Sequence, residues 1–497
     1  MIRQPAPLRV VVASPLSRFA CSLPGRRVAR PSADRSAQPA APPTARRGTI
    51  AALSLVVAVV LGDSGVVTLA LPEILRDLGT EVGEVAWVLI VFNLVLALAA
   101  VPAARMCVRG DPATATGGGL LVFAVATAVC AVAPTLGVLI VARAAQAAGG
   151  ALVVVGGLEL LVAATGAERA GVRWWAAAGV AGAALGPVVG GLLTSAFSWR
   201  SIFVVQIPVL LLAVPTVIAL RGRVVHGRAD PDLSPDRPHV MANLALALLS
   251  AALTAALFLL VLLLVEGWRR SPAVAAVAVT AVPVAALAAG PLFRRVRAGT
   301  RSEAVAGSVL IAGGLTGLAL LPGAEPAWTI APQVLVGLGL GLSVDSLTAA
   351  ALRERIPRAL HGGWTIAARH AGVVVGLAIL TPIFTADLRH AETPAKEAVA
   401  GLVLDAPLPA STKLELADGL GRQLVAERGR VPDVRPAFMT LRLPATQAAA
   451  AARLERDLED QLERAATRAF RTAFLVAALL ALLALVPALA LRDRSRS

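Results

Sequence analysis

Two ionisable residues stand where charge is expensive. Asp63 lies in Leu61-Gly62-Asp63-Ser64-Gly65-Val66-Val67-Thr68-Leu69-Ala70-Leu71-Pro72, and Arg143 in Ile140-Val141-Ala142-Arg143-Ala144-Ala145-Gln146-Ala147-Ala148-Gly149-Gly150-Ala151. If each run crosses a bilayer as a helix, Asp63 is about 21 Å from one face and Arg143 about 10 Å from the other. They then share a level of a core about 30 Å thick. A charge at that depth must face protein or water, and each is the nearest plausible partner of the other. Arg143 favours the anion of Asp63 while burial favours the neutral acid, so a change of exposure lets one proton bind and leave. The alternative is a static structural pair. Gln146 and Gly150 follow Arg143 at i+3 and i+7 and share its helix face. Asn93, inside the preceding apolar pair, is a further candidate for lining the same path.

Other residues suggest packing and gating. Gly182, Gly186 and Gly190 recur every fourth residue, which lets a second helix approach closely. Pro187 removes one backbone hydrogen bond between them, and Gly191 follows. Asp345 and Arg369 fall toward one end of their apolar runs and are read as a possible inner gate, with simple snorkelling to the interface as the alternative. Glu159 is read as interfacial rather than as a proton carrier, and Trp174-Trp175 as interfacial anchors. Cys21, Cys107 and Cys130 form no C-x-x-C or Cys/His cluster, so neither a zinc site nor a disulfide framework is expected. No phosphate-binding loop of the Walker type and no nucleophile–base pattern occurs, so no cofactor and no catalytic residue is expected.

The elements that must position these residues follow from composition. Of 497 residues, 57% are hydrophobic and 15% charged, with a mean hydropathy of +0.76; a soluble chain carries about 25% charged residues. Apolar stretches of about 20 residues, enough for a membrane helix, cover 49–71, 85–103, 115–133, 135–163, 172–195, 201–220, 241–265, 272–293, 303–321, 327–351, 363–385 and 472–491. The fold class is therefore an all-α polytopic membrane protein with twelve transmembrane helices. Arginines concentrate in alternate connections, among them Arg105/Arg109, Arg169/Arg173, Arg221/Arg223/Arg228 and Arg353/Arg355/Arg358. By the positive-inside rule those connections and both termini are cytoplasmic, which an even helix count requires. Topology thus accounts for the net charge of +15, and nucleic acid is not an expected partner. Residues 1–48 read as a disordered basic tail, with a transit peptide or a misplaced start as alternatives. Residues 221–240 read as a linker between a half at 49–220 and a half beginning at 241, and 492–497 as a short tail. The polar stretch 386–471 between the last two spans is expected on the extracytoplasmic side as a small cap. In it Leu454, Leu458 and Leu462 recur at helical spacing among charges.

These motifs together resemble the major facilitator superfamily and, within it, the drug:proton antiporters. The R-x-x-Q-x-x-G-G stretch from Arg143 is similar to that family's fourth-helix motif, and Gly182-x-x-x-Gly186-Pro187-x-x-Gly190-Gly191 to its antiporter motif on the fifth. Asp63 with the run to Ala70-Leu71-Pro72, Trp87-Val88, Trp199-Arg200, Gly337-x-Gly-x-Gly341 and Arg369-x-x-Gly372-x-x-x-Gly376 fit as well. The resemblance implies two six-helix halves around a central cavity. It also implies a monomer in the plasma membrane that exports a small amphipathic molecule in exchange for protons. Two departures stand out. Val108 occupies the place of the Asp in the family's loop between helices 2 and 3, which puts the usual gating network in doubt, and Gln206 replaces the usual Asn. The competing readings are an importer or uniporter of the same fold, and a membrane sensor or scaffold that no longer transports.

Overall fold

Every stretch of apolar sequence long enough to span a bilayer is helical, because in lipid only internal hydrogen bonds can satisfy the backbone. In the computed structural model of the chain, twelve helices among the described residues meet that length and composition. The structure describes residues 43–222, 236–293, 299–353, 355–426, 433–441 and 444–491. Most of the predicted N-terminal tail, most of the linker and the tail at 492–497 lie outside these.

The first half comprises α1 (Pro43–Asp77), α2 (Trp87–Arg109), α3 (Pro112–Ala131), α4 (Leu136–Thr165), α5 (Glu168–Ala196) and α6 (Ser201–Ala219). Its turns carry ordinary stop signals. Asp111 caps α3 by accepting from the Thr114 amide at 2.9 Å, ahead of Pro112 at the first helical position. Gly166, at φ 66°, ends α4 in the left-handed conformation that glycine adopts without strain. The second half comprises α7 (Val240–Leu262), α8 (Pro272–Gly290), α9 (Thr300–Ala319), α10 (Ile330–Leu352) and α11 (Arg358–Asp405), closed by the last span, α15 (Arg471–Leu483). Leu98, Leu121, Val141, Leu212 and Val277 are all exposed, an arrangement costly in water and ordinary against lipid.

The clearest departure from expectation is α11. Its predicted end was 385, but the helix runs unbroken for 48 residues to Asp405, about 72 Å, and so projects well beyond a bilayer. Beyond it lie α12 (Ala410–Ala426), α13 (Arg435–Met439) and α14 (Ala445–Ala469), the last leading into α15. Residues 386–471 are thus a helical cap. It has its own core of Val399, Val403, Leu416, Leu420, Val434 and Phe438 packed with Leu454, Leu458 and Leu462. At roughly 1.5–3 kcal/mol per fully buried side chain, this cluster is enough to hold four short elements together.

The cap is fastened to the second half. After α7 a π-helical turn, Leu263–Gly267, and a left-handed Arg269 at φ 50° redirect the chain. Arg269 then pairs with Asp433 at 3.1 Å, Arg270 with Glu463 at 3.5 Å, and Trp268 donates to Thr467 at 2.9 Å. The end of the bundle carrying these contacts is the cap end below, and the end where α1 begins is the tail end.

Candidate functional site

Close packing of α1 on α5 sets the site. A Cβ placed on Gly182, Gly186 or Gly190 would stand under 3.0 Å from the carbonyl oxygens of Ala58, Gly62 and Val66 respectively. Each turn of the glycine ladder therefore meets bare α1 backbone. Gly62 answers from the other side, against the Gly182 carbonyl, and Gly65 faces the Pro187 ring. Gly191 points elsewhere, to Pro272 and Ala276 of α8, so consecutive glycines hold α1 and the opposite half. The second half repeats the device, with Gly372 and Gly376 of α11 against the Ala247 and Ala251 carbonyls of α7. In the first half Gly150 lies over Val60 and Phe123, bringing α4 onto α1 and α3.

With Gly62 turned to α5, Asp63 turns to α4. Its Oδ2 pairs with Arg143, and both side chains are 0% exposed. Its Oδ1 accepts from Gln206 Nε2 of α6 at 3.0 Å. Arg143 also donates to Gln146 Oε1 at 2.6 Å and to the Val88 carbonyl at 3.4 Å, and its guanidinium sits 4.0 Å over the Phe92 ring. Arg143 Nη2 makes no hydrogen bond. Gln146 Nε2 in turn donates to Thr127 Oγ1 at 2.9 Å and Gln206 Oε1 at 3.4 Å. Five helices thus contribute to one buried network in which the carboxylate accepts on both oxygens. A proton on Asp63 would weaken its bond to Arg143, which Gln146, the Val88 carbonyl and the Phe92 and Phe203 rings would still hold. Sequence reasoning singled out Asp63, Arg143 and Gln146. It treated Gln206 as a mild departure and missed Thr127, although a polar residue in an apolar helix was the available signal.

Asn93 of α2 is buried beside this network. It donates to Leu89 O at 2.8 Å and to Ser64 Oγ at 3.1 Å, and its Oδ1 lies 2.7 Å from His370 Nδ1 of α11. That last bond joins the two halves in the interior, and sequence reasoning did not anticipate it.

Among the described residues no ion pair within 4 Å joins Asp345 and Arg369, although the two charges lie near enough to attract each other, and Asp345 is exposed on α10. The charged tie at the tail end is instead Arg358 of α11, with Glu159 of α4 and Glu168 of α5 each at 3.3 Å. Glu159 is therefore an ion-pair residue between halves. Val108, standing where an Asp was expected, packs with Leu360 against Ala104, Cys107, Val155 and Ala359. The contact at that position is apolar. Trp174 is half exposed as an anchor would be, but Trp175 is buried and donates to the Val154 carbonyl at 2.9 Å. At the cap end Arg76 pairs with Glu266 across the halves at 3.1 Å, and Asp77 accepts from Trp199 and Arg200 at 2.9 and 2.7 Å. The halves are tied at both ends.

A family profile described as the Major Facilitator Superfamily matches residues 53–381, most of the chain. The chain belongs to the major facilitator superfamily. As a major facilitator protein it is a multi-pass membrane carrier and not an enzyme. Among curated relatives, it is 33% identical over 199 residues to the multidrug efflux pump LfrA of Mycolicibacterium smegmatis, 39% of each chain. To the methylenomycin A resistance protein of Streptomyces coelicolor it is 33% identical over 232 residues, 46% of each. The chain thus spans less than half the length of these two relatives. It is 25% identical over 403 residues to the multidrug resistance protein B homolog of Mycobacterium tuberculosis, 66% of this chain and 74% of that one. Among solved structures, a bacterial homolog of the human lysosomal transporter Spinster, inward-facing and unoccupied, is similar with a TM-score of 0.55 at 14% identity, over 91% of this chain and 98% of that one. A bacterial homologue of the human drug peptide transporters PepT1 and PepT2 gives 0.56 at 12%, over 90% and 98%. At such identity these two share the fold of this major facilitator protein and no more.

Proposed function

We propose that this protein resides in the plasma membrane and exports a small amphipathic, drug-like molecule in exchange for protons, by alternating access of its two halves. The observation that carries this reading is the buried Asp63–Arg143 pair, built into five helices of the first half beside the α1–α5 glycine ladder. The resistance and efflux proteins among its relatives favour the same direction of transport. In this reading Asp63 takes a proton when the path opens to the cap end, which leaves the charge of Arg143 without its counter-ion and loosens it. Opening toward the tail end then rehydrates the site and restores the ion pair, releasing the proton. The ladder glycines let α1 and α5 move as one body, because bare backbone in contact leaves no side chains to reseat. Proton-gradient-driven uptake of ethidium into inverted membrane vesicles tests the proposal. Uptake that is unaffected when the gradient is collapsed would count against proton exchange, and uptake in right-side-out vesicles only would reverse the direction.

The reading places the cap outside the cell and both termini in the cytoplasm. Ser411 is exposed on α12, so with Cys21 replaced by Ser, Ser411→Cys should react with an impermeant maleimide in intact cells to the same extent as after permeabilisation. Labelling that appears only once cells are permeabilised would invert the orientation.

A further inference from the structure

Of the two buried histidines of α11, His361 and His370, the second is placed where the two halves and the Asp63 network meet. The amide of Asn93 is oriented by Leu89 O, which can only accept, so Nδ2 faces that carbonyl and Oδ1 faces His370. The 2.7 Å contact then requires His370 Nδ1 to carry the proton and donate. Asn93 is tied in turn to Ser64, the residue after Asp63 on α1, whose own carbonyl accepts from Thr68 at 2.6 Å. A chain of hydrogen bonds therefore runs from the residue beside Asp63, through α2, to the opposite half.

The same two helices touch again toward the tail end, where Gly363 of α11 lies against the Ala100 carbonyl and the Ala104 side chain of α2. From Asn93 to Ala100, and from His370 back to Gly363, is the same stretch of about two turns on each antiparallel helix. The α2–α11 seam is thus in register from a bare glycine contact at the tail end to a single buried hydrogen bond at the level of the site. Parting the halves at the tail end must open the glycine contact first and then load the His370–Asn93 bond. Gly363 offers little resistance, because it contributes no side chain.

Resting on the proton-exchange reading above, we propose that His370 is a positioning residue of the transport cycle. Donation from its Nδ1 to Asn93 latches the seam, and through Ser64 the latch is set by the position of α1 at Asp63. A protonated, loosened Asp63 lets α1 shift, Ser64 withdraws its support from Asn93, and α11 is freed to swing. The imidazole binds no substrate in this role. It acts through Asn93, and what matters is the donor at the Nδ1 position, not the ring's ability to titrate.

Substitutions separate those two properties. Asn presents an amide donor where His370 has Nδ1 but does not titrate, and Leu fills the space without a donor. Met106 of α2 and Trp364 of α11 are both exposed and accept spin labels, which report the separation of the two helices toward the tail end. In the full-length protein in nanodiscs, wild type and His370→Asn should share one distance distribution dominated by the short distance. His370→Leu should raise the long-distance population at least fivefold, and Asn93→Leu, which removes the same bond from the other side, should do likewise. A His370→Asn distribution matching that of His370→Leu overturns the proposal, as does a His370→Leu distribution matching wild type. Should His370→Leu fail to reach the membrane, Asn93→Leu against wild type decides in the same way. Ethidium uptake by wild-type inverted vesicles is read in parallel. Loss of gradient dependence there defeats proton exchange, while the latch stands or falls on the distances.

Discussion

Asp63→Asn should reach the membrane at close to wild-type levels and still exchange ethidium down its gradient, but lose proton-driven accumulation. The two side chains are nearly isosteric, so α1 keeps its seat on α5. Asn Oδ1 can accept from Arg143 in place of the carboxylate. Its Nδ2 then faces Gln206 Nε2, donor against donor, and Gln206 must turn its amide over, giving up its 3.4 Å contact with Gln146. Stripping one partner from a buried ion pair commonly costs about 3–5 kcal/mol. Here the loss should be smaller, because a carrier that protonates Asp63 already visits a state in which Arg143 faces a neutral group. The contacts able to sustain that state are present. Gln146 and the Val88 carbonyl accept from Arg143, and Phe92 lies 4.0 Å below the guanidinium, a cation–π contact worth about 2 kcal/mol when desolvated. The measurement is ethidium accumulation in inverted vesicles beside thermal stability in detergent. Accumulation against the gradient at the wild-type rate would remove Asp63 as the proton carrier. A collapse in expression or a melting temperature many degrees lower would make the pair structural.

How much of this was legible in the sequence depends on the range of the interaction. Asp63, Arg143 and the ladder announce themselves locally: a charge in an apolar run, or glycines every fourth residue, has few physical explanations in lipid. The twelve spans are legible for the same reason. Hydropathy marks where lipid begins and ends, however, and not where a helix does. Beyond 385 the composition of α11 turns polar while remaining rich in Ala and Leu, both good helix formers. The helix therefore continues through Pro394 to Asp405, where hydropathy placed a loop. Contacts across the halves were the least legible. Asp345 and Arg369 lie at similar depths in the sequence reading, yet depth says nothing of which face each helix turns to the other, and the two charges attract without closing to within 4 Å. Arg358, one of three arginines in a loop, gave no signal that it would reach Glu159 and Glu168. His370 resembled any isolated histidine on an apolar helix until docking set it against Asn93. Val108 illustrates the converse. Its departure from the expected Asp was visible, but only the packed structure shows that Leu360 and Ala359 supply an apolar partner.

Gly186→Leu should leave the protein in the membrane and reduce transport at least tenfold. A Cβ at Gly186 would lie 2.6 Å from Gly62 O and 3.1 Å from Val66 N. Both are α1 backbone, so no flexible side chain is available to move aside, and relief requires α1 and α5 to separate. Overpacking of this kind costs about 1–3 kcal/mol, and about 1.4 kcal/mol on a barrier is tenfold in rate. Insertion should survive because leucine lowers the cost of placing a helix in lipid and the remaining spans are untouched. The damage falls on function because Asp63 adjoins Gly62, so a displaced α1 carries the carboxylate away from Arg143 and Gln206. Gly186→Ala, with one methyl, should give an intermediate loss. Gly313 provides the control. It lies exposed on α9 with nothing within 4 Å of an added Cβ, and Gly313→Leu should transport at the wild-type rate. Vesicle uptake of ethidium, normalised to the amount of inserted protein, measures all three. Equal rates for Gly186→Leu and Gly313→Leu would mean that the ladder only packs helices, and that close α1–α5 contact is not what positions Asp63.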